Sequence, residues 1–277
     1  MICLSVEEKS RLETKLRELL MEKSLCLNSC SPKKSMEIYN LVYSYCIKLR
    51  KCKKKAVRSL VEVNNSTLDK NEIIGREIFS ILKNFVIRHL KVACLELNNY
   101  KGVSLLESYN EYWNKFLIFI TIADAGFGYI NKFCNIAMLL NQFKEHFFLN
   151  LLYPTRSTVL ELINNERNLG ITYNSLLISS VLKSYIFMGM ANSDALNYEE
   201  YLVVYTLKSF DLPEINIYVD FFERKYLEEI TVFYCQKSTE YLQNNSLLQY
   251  FIYINKIIKD EQDRCLRYMS PQTSNKL

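Results

Sequence analysis

The stretch from Ile217 to Met269 constrains this chain most. It is fifty-odd residues long, lies between Pro213 and Pro271, and contains no Pro or Gly. Tyr218, Phe222, Tyr226, Ile230, Phe233 and Tyr234 recur at helical spacing. The run breaks once, at Asn244-Asn245-Ser246, where Ser246 and Gln249 have the capping-box form that starts a new helix. Ile257, Ile258, Cys265 and Leu266 then continue an apolar stripe, with Glu261, Asp263 and Arg264 read as its polar side. The pattern predicts two long amphipathic helices joined by a tight corner.

The rest of the chain fits the same class. Only 6 Gly and 4 Pro occur in 277 residues, while 49% of residues are apolar. Scarce turn residues and long periodic runs predict an all-α fold rather than a sandwich or doubly wound sheet. Ser5 with Glu8 caps a first helix through about Glu22, and Met36, Tyr39, Tyr43 and Ile47 mark one face of a second. Asp69 with Glu72 and Ser104 with Glu107 predict caps for a third and fourth. A helix is expected over about 122–152, ended by Pro154, which cannot donate the next helix bond. Shorter helices are expected over 157–167, 174–187 and 197–210, with breaks at Gly170 and Gly189. Pro154 divides the helices into five on each side, giving expected domains 1–153 and 154–277.

The long stretch also resembles the N-terminal part of a cullin, the scaffold subunit of multi-subunit ubiquitin ligases. The resemblance is carried by Tyr218, Phe222-Glu223, Tyr226-Leu227, Ile230-Thr231 and Phe233-Tyr234. It continues through Ser238, Tyr241-Leu242, Asn245, Tyr250, Glu261, Arg264 and Tyr268-Met269. Weaker matches are Tyr39, Val42-Tyr43, Tyr45-Cys46, Trp113, Tyr129 to Lys132, Leu162, Glu166-Arg167, Gly170 and Leu177-Ile178. The resemblance implies two stacked five-helix cullin repeats forming an elongated stalk. It also implies a non-catalytic scaffold that docks a Skp- or BTB-fold substrate adaptor. The implied contacts are Met36, Tyr39, Asn40 and Tyr43 on the second helix, with Phe127, Tyr129 and Lys132 opposite. The family often carries an aromatic one turn before Tyr39, where this chain has Ser35. Cullins hold their RING subunit and modifiable lysine in a C-terminal domain. The chain stops at Leu277, so a fragment or a shortened homologue is expected, with no RING partner of its own.

No catalytic constellation is visible. The two histidines, His89 and His146, sit in apolar helical surroundings and read as core or boundary residues. Nine cysteines at irregular spacing, after an N-terminus that turns charged at Glu7-Glu8-Lys9, predict reduced thiols in the cytoplasm or nucleus. Cys26/Cys30 and Cys46/Cys52 lack partners for a four-ligand zinc site, so no metal or cofactor is expected. The apolar run 116–130 is too short to span a bilayer and contains Asp124.

The net charge of +5 is concentrated in one place. Lys48, Arg50, Lys51, Lys53, Lys54, Lys55 and Arg58 form a basic run that reads as a solvated helix end. Two other function classes fit parts of the sequence. A helical tethering subunit would share the architecture without the adaptor, and a nucleic-acid-binding module would use the run at 48–58.

Overall fold

A computed structural model describes residues 4–21, 32–58, 70–130, 136–170, 173–190 and 216–277. Every regular element among them is helical, and none is a strand. The helices are α1 (Val6–Met21), α2 (Pro32–Arg58), α3 (Lys70–Leu97), α4 (Gly102–Gly126), α5 (Ile136–Phe143), α6 (Leu149–Leu169) and α7 (Ser175–Met190). They are followed by α8 (Arg224–Asn244), α9 (Leu247–Tyr268) and the short α10 (Pro271–Ser274). Two π-helical turns, Lys144–Phe148 and Val219–Glu223, lead into α6 and α8.

The chain divides into two compact units. One contains 1–96 and 111–150, the other 97–110 and 151–277. In the first, α4, α5 and the π-helical turn that follows supply an aromatic centre. The Tyr112 and Phe147 rings stack at 4.6 Å, and Phe143 packs 4.6 Å from Phe116 and 5.1 Å from Trp113. In the second, Tyr109, Tyr185, Tyr218, Phe222, Tyr226 and Tyr268 are fully buried. The hydroxyls of the five tyrosines find partners, as buried tyrosines require. Tyr109 meets Ser184 at 2.8 Å, and Tyr218 meets Thr273 at 2.8 Å.

The expected corner is present. Asn245 ends α8, and Ser246 opens α9 with a complete capping box. The Gln249 side chain accepts from the Ser246 amide at 3.0 Å, and the Ser246 hydroxyl accepts from the Gln249 amide at 3.4 Å. Ser5 and Glu8 exchange the same pair of bonds before α1.

Other boundaries differ from the sequence expectation, each for a physical reason. The Ser104/Glu107 pair caps nothing. The chain turns in at Gly102, with φ of +59°, and the Ser104 hydroxyl donates back to the Lys101 carbonyl at 2.8 Å. No single helix runs over 122–152. α4 ends at Gly126, a 3-10 turn covers Gly128–Ile130, and α5 begins at Ile136. The small residues that were expected to be tolerated inside a helix instead end it.

Pro154 does not stop a helix either. It lies inside α6, which runs on to Leu169. The Thr155 hydroxyl donates to the Leu151 carbonyl at 2.7 Å. The Tyr185 hydroxyl lies 2.6 Å from that of Thr155 and 3.2 Å from the Leu152 carbonyl. Buried hydroxyls thus bond carbonyls in the turn around Pro154, while the amide that proline lacks would have met the carbonyl of Asn150, an exposed residue. At the far end, Gly170 at φ +68° donates its amide to the Glu166 carbonyl and closes α6 as expected. Gly189 is the penultimate residue of α7, which ends at Met190, so the expected break falls at the helix end. The expected helix over 197–210 and the cap at Asp69 lie outside the described residues.

Candidate functional site: an exposed tyrosine face on α2

The helix α2 has two apolar faces. Ile38, Val42, Tyr45, Cys46 and Leu49 are buried, at 5% exposure or less. That face seats the helix. Tyr45 also donates its hydroxyl to the Glu8 carbonyl at 3.2 Å, tying α2 to α1. Gly126 lets α4 come so close that a Cβ there would lie 2.6 Å from Ile38 Cγ2. With the first face committed to the core, the second turns outward. Met36 is 57% exposed and Tyr43 43%, with Asn40 exposed and Tyr39 half-buried.

The 3-10 turn after α4 brings Tyr129 to this outer face. Tyr39 and Tyr43 stack in parallel at 6.3 Å, as residues one helical turn apart can. The edge-on contacts to Tyr129 are 6.4 Å from Tyr39 and 5.1 Å from Tyr43. Edge-to-face packing suits the ring quadrupoles. The Arg50 guanidinium covers the Tyr129 ring at 5.4 Å. The result is a half-wet aromatic platform with a cation at one edge. Rigid, amphipathic tyrosines of this kind suit protein docking, since they bury much area at little entropic cost.

The seven sequence-derived contact residues are therefore not equivalent. Met36, Tyr39, Asn40, Tyr43 and Tyr129 share the outer surface. Phe127 does not: it is fully buried, because the turn that brings Tyr129 outward sends Phe127 into the core. Lys132 lies outside the described residues.

The other candidate chemistry finds little footing among the described residues. Burial pushes the Cys46 and Cys265 thiols up to about 11, so neither is a ready nucleophile. Burial lowers the His89 pKa, and its ring lies between Phe85 and Tyr112 at 6.2 and 5.8 Å. No three metal-ligating side chains converge there, and no helix there is long and apolar enough to cross a membrane. Cys26 and Cys30 lie outside those residues.

Sequence reasoning missed one cluster, in the second unit. Glu261 and Arg264, expected on a polar face, are buried together with Glu166, all at 7% exposure or less. Arg167 donates to both oxygens of Glu261, at 2.7 and 3.3 Å. Tyr226 and Tyr234 donate to the same carboxylate at 2.9 and 2.6 Å, and Arg264 bridges Glu261 and Glu166. Arg267 and Tyr268 complete the Glu166 end. The signal was present in the spacing, since Glu261, Arg264 and Tyr268 fall on one face with Cys265. Its centre is sealed, while Arg267 at the Glu166 end is 41% exposed, and the cluster joins α6, α8 and α9.

The comparisons with known proteins agree with this architecture. The family model for the Cullin alpha solenoid domain matches residues 10–277. Cullin-1 of Caenorhabditis elegans is 26% identical over 265 residues, covering 89% of this chain and 33% of that protein. Cell division control protein 53 of Saccharomyces cerevisiae is 24% identical over 261 residues, covering 89% and 29%. Cullin-1 of Schizosaccharomyces pombe is 23% identical over 249 residues, covering 87% and 30%. The chain spans about a third of the length of these relatives. With the family model covering nearly all of it, the chain belongs to the cullin family.

Proposed function

We propose that this chain is the adaptor-holding part of a cullin scaffold for a multi-subunit ubiquitin ligase, working in the cytoplasm or nucleus. Residues 1–153 and 154–277 would be two five-helix repeats, and the first would dock a Skp- or BTB-fold adaptor. One observation carries the reading: α2 buries Ile38, Val42 and Tyr45 and still presents Met36, Tyr39 and Tyr43 with Tyr129 outward. A helix whose core face is already filled has its second apolar face left for a partner. The scaffold's contribution is positional. Holding a substrate near an activated ubiquitin raises effective concentration and needs no acid or base from the scaffold.

The test is direct binding of the purified chain to purified Skp-fold and BTB-fold domains, by calorimetry and by co-elution. The expected result is a one-to-one complex with one of the two classes, at about micromolar affinity or tighter. Folded chain that binds neither class contradicts the reading.

A further inference from the structure

The outer face of α2 does not end with the tyrosines. The helix continues unbroken to Arg58. Arg50, Lys54 and Arg58 lie seven, eleven and fifteen residues beyond Tyr43. At 3.6 residues per turn these are about two, three and four turns, so all three positions return to the quadrant that holds Tyr43. By register, the positions of the aromatic face therefore continue into basic ones along a single helix. The junction is visible in the side chains, since Arg50 rests on Tyr129 at 5.4 Å. Its Nε is buried with no hydrogen-bond acceptor among the described residues. Lys51, beside it, is exposed.

No carboxylate balances this charge from within the run, because no Asp or Glu occurs between Lys48 and Arg58. Lys48 itself turns aside to Glu8 of α1, at 2.5 Å, and so belongs to a different edge of the helix. The C-terminal dipole of α2 favours cations, which explains why a helix tolerates them there. It does not explain why they continue the tyrosine face, where like charges at three- and four-residue spacing repel one another. A negatively charged surface lying along the helix would relieve that repulsion.

We propose that the partner docked on Tyr39, Tyr43 and Tyr129 carries an acidic segment that lies along α2 through Arg50, Lys54 and Arg58. This rests on the docking reading above and specifies the partner: an apolar patch bordered by a run of Asp and Glu. The basic run would act mainly by steering the encounter, as charges at an interface rim do, with the tyrosines holding the complex once formed.

The experiment measures association and dissociation rates of the adaptor domain that binds, at about 50 and 300 mM NaCl, where the screening length shortens markedly. Wild type is compared with the quadruple variant Lys51→Gln/Lys54→Gln/Lys55→Gln/Arg58→Gln, and a 20-base-pair DNA duplex serves as a second probe. Wild-type association should slow by roughly tenfold as salt rises. The variant should associate about tenfold more slowly at low salt, respond little to salt, and keep the wild-type melting temperature. A variant that binds the adaptor as wild type does, with the same salt response, overturns the acidic-partner proposal and leaves the docking reading intact. Wild type that binds no adaptor overturns both. Duplex DNA that binds more tightly than the adaptor, and is the only probe the variant loses, overturns the proposal in favour of a nucleic-acid surface.

Discussion

Arg167 Nε and Glu261 Oε1, separated by 94 residues of sequence, meet at 2.7 Å with side chains only 2% and 3% exposed. Burial alone would raise the Glu261 pKa, but hydrogen bonds from Arg167 and Tyr234, with the Arg264 charge, hold it down at about 2. The pair is wrapped by Tyr226, Phe233 and Tyr234, whose rings lie 5.3 to 5.9 Å from the Arg167 guanidinium. It therefore joins α6, α8 and α9 through charge sealed from water.

Arg167→Ala should be among the most damaging single changes in the second unit. It leaves the Glu261 carboxylate buried without its main partner, which typically costs 3–5 kcal/mol, on the order of a large fraction of a domain's stability. Urea denaturation would measure the loss. A loss below about 1 kcal/mol would mean that water or Arg264 replaces the guanidinium freely.

The same carboxylate gives a pH dependence. Its folded-state pKa lies below the ordinary value of 4.5, so its stabilisation is fully present above that pH and is lost as pH falls through about 2. Urea midpoints for wild type should drop across that window. Glu261→Gln should be less stable at neutral pH and should show a shallower drop in acid. Parallel curves for the two proteins would show that Glu261 does not titrate in that range.

Pro154 offers a test of a different kind. It sits inside α6 beside Thr155, whose hydroxyl meets that of Tyr185 at 2.6 Å. Tyr185→Phe removes a buried donor near the Leu152 carbonyl and should cost about 1–3 kcal/mol. In the double variant Tyr185→Phe/Pro154→Ala the loss should be the same, because an amide restored at 154 would meet the Asn150 carbonyl and not that of Leu152. A loss that shrinks in the alanine background would show that the tyrosine compensates for the proline.

These elements also show what the sequence could and could not display. The corner at Ser246 and the cap at Ser5 were legible because a capping box is a local device, complete within four residues. For α2, helical period marks Tyr39 and Tyr43 as one face, but it does not decide whether that face or the one holding Ile38 and Val42 packs inward. The course of α6 through Pro154 was not, since the donors that support it include Tyr185, on another helix. Nor was the burial of Glu166, Glu261 and Arg264, because charged residues at helical spacing read as a wet face until their distant partners are known. Phe127 and Tyr129 differ by two residues, and only the 3-10 turn between them decides which is core and which is surface.

Gly126 links packing to the site. A Cβ at this position would stand 2.6 and 2.8 Å from Ile38 Cγ2 and Cβ, closer than atoms pack. Gly126→Ala should therefore cost about 1–3 kcal/mol through overpacking and should push α2 from its seat. Because Ile38 is the neighbour of Tyr39, the shift should also weaken adaptor binding. Crystallography or nuclear magnetic resonance of the variant would detect the displacement. Unchanged stability would mean that α2 is not held at the distance described.

The docking role of the tyrosine face is tested most directly by the adaptor affinity of Tyr39→Ala/Tyr43→Ala, measured beside its melting temperature. Both side chains lie over a core face filled by Ile38, Val42 and Tyr45, so the variant should melt close to wild type. Its adaptor binding should weaken by about 2 kcal/mol or more, roughly thirtyfold, as loss of central aromatic anchors does. A variant that stays folded and binds Skp- or BTB-fold domains as tightly as wild type would contradict docking at this face, and so would one whose weaker binding follows only from unfolding.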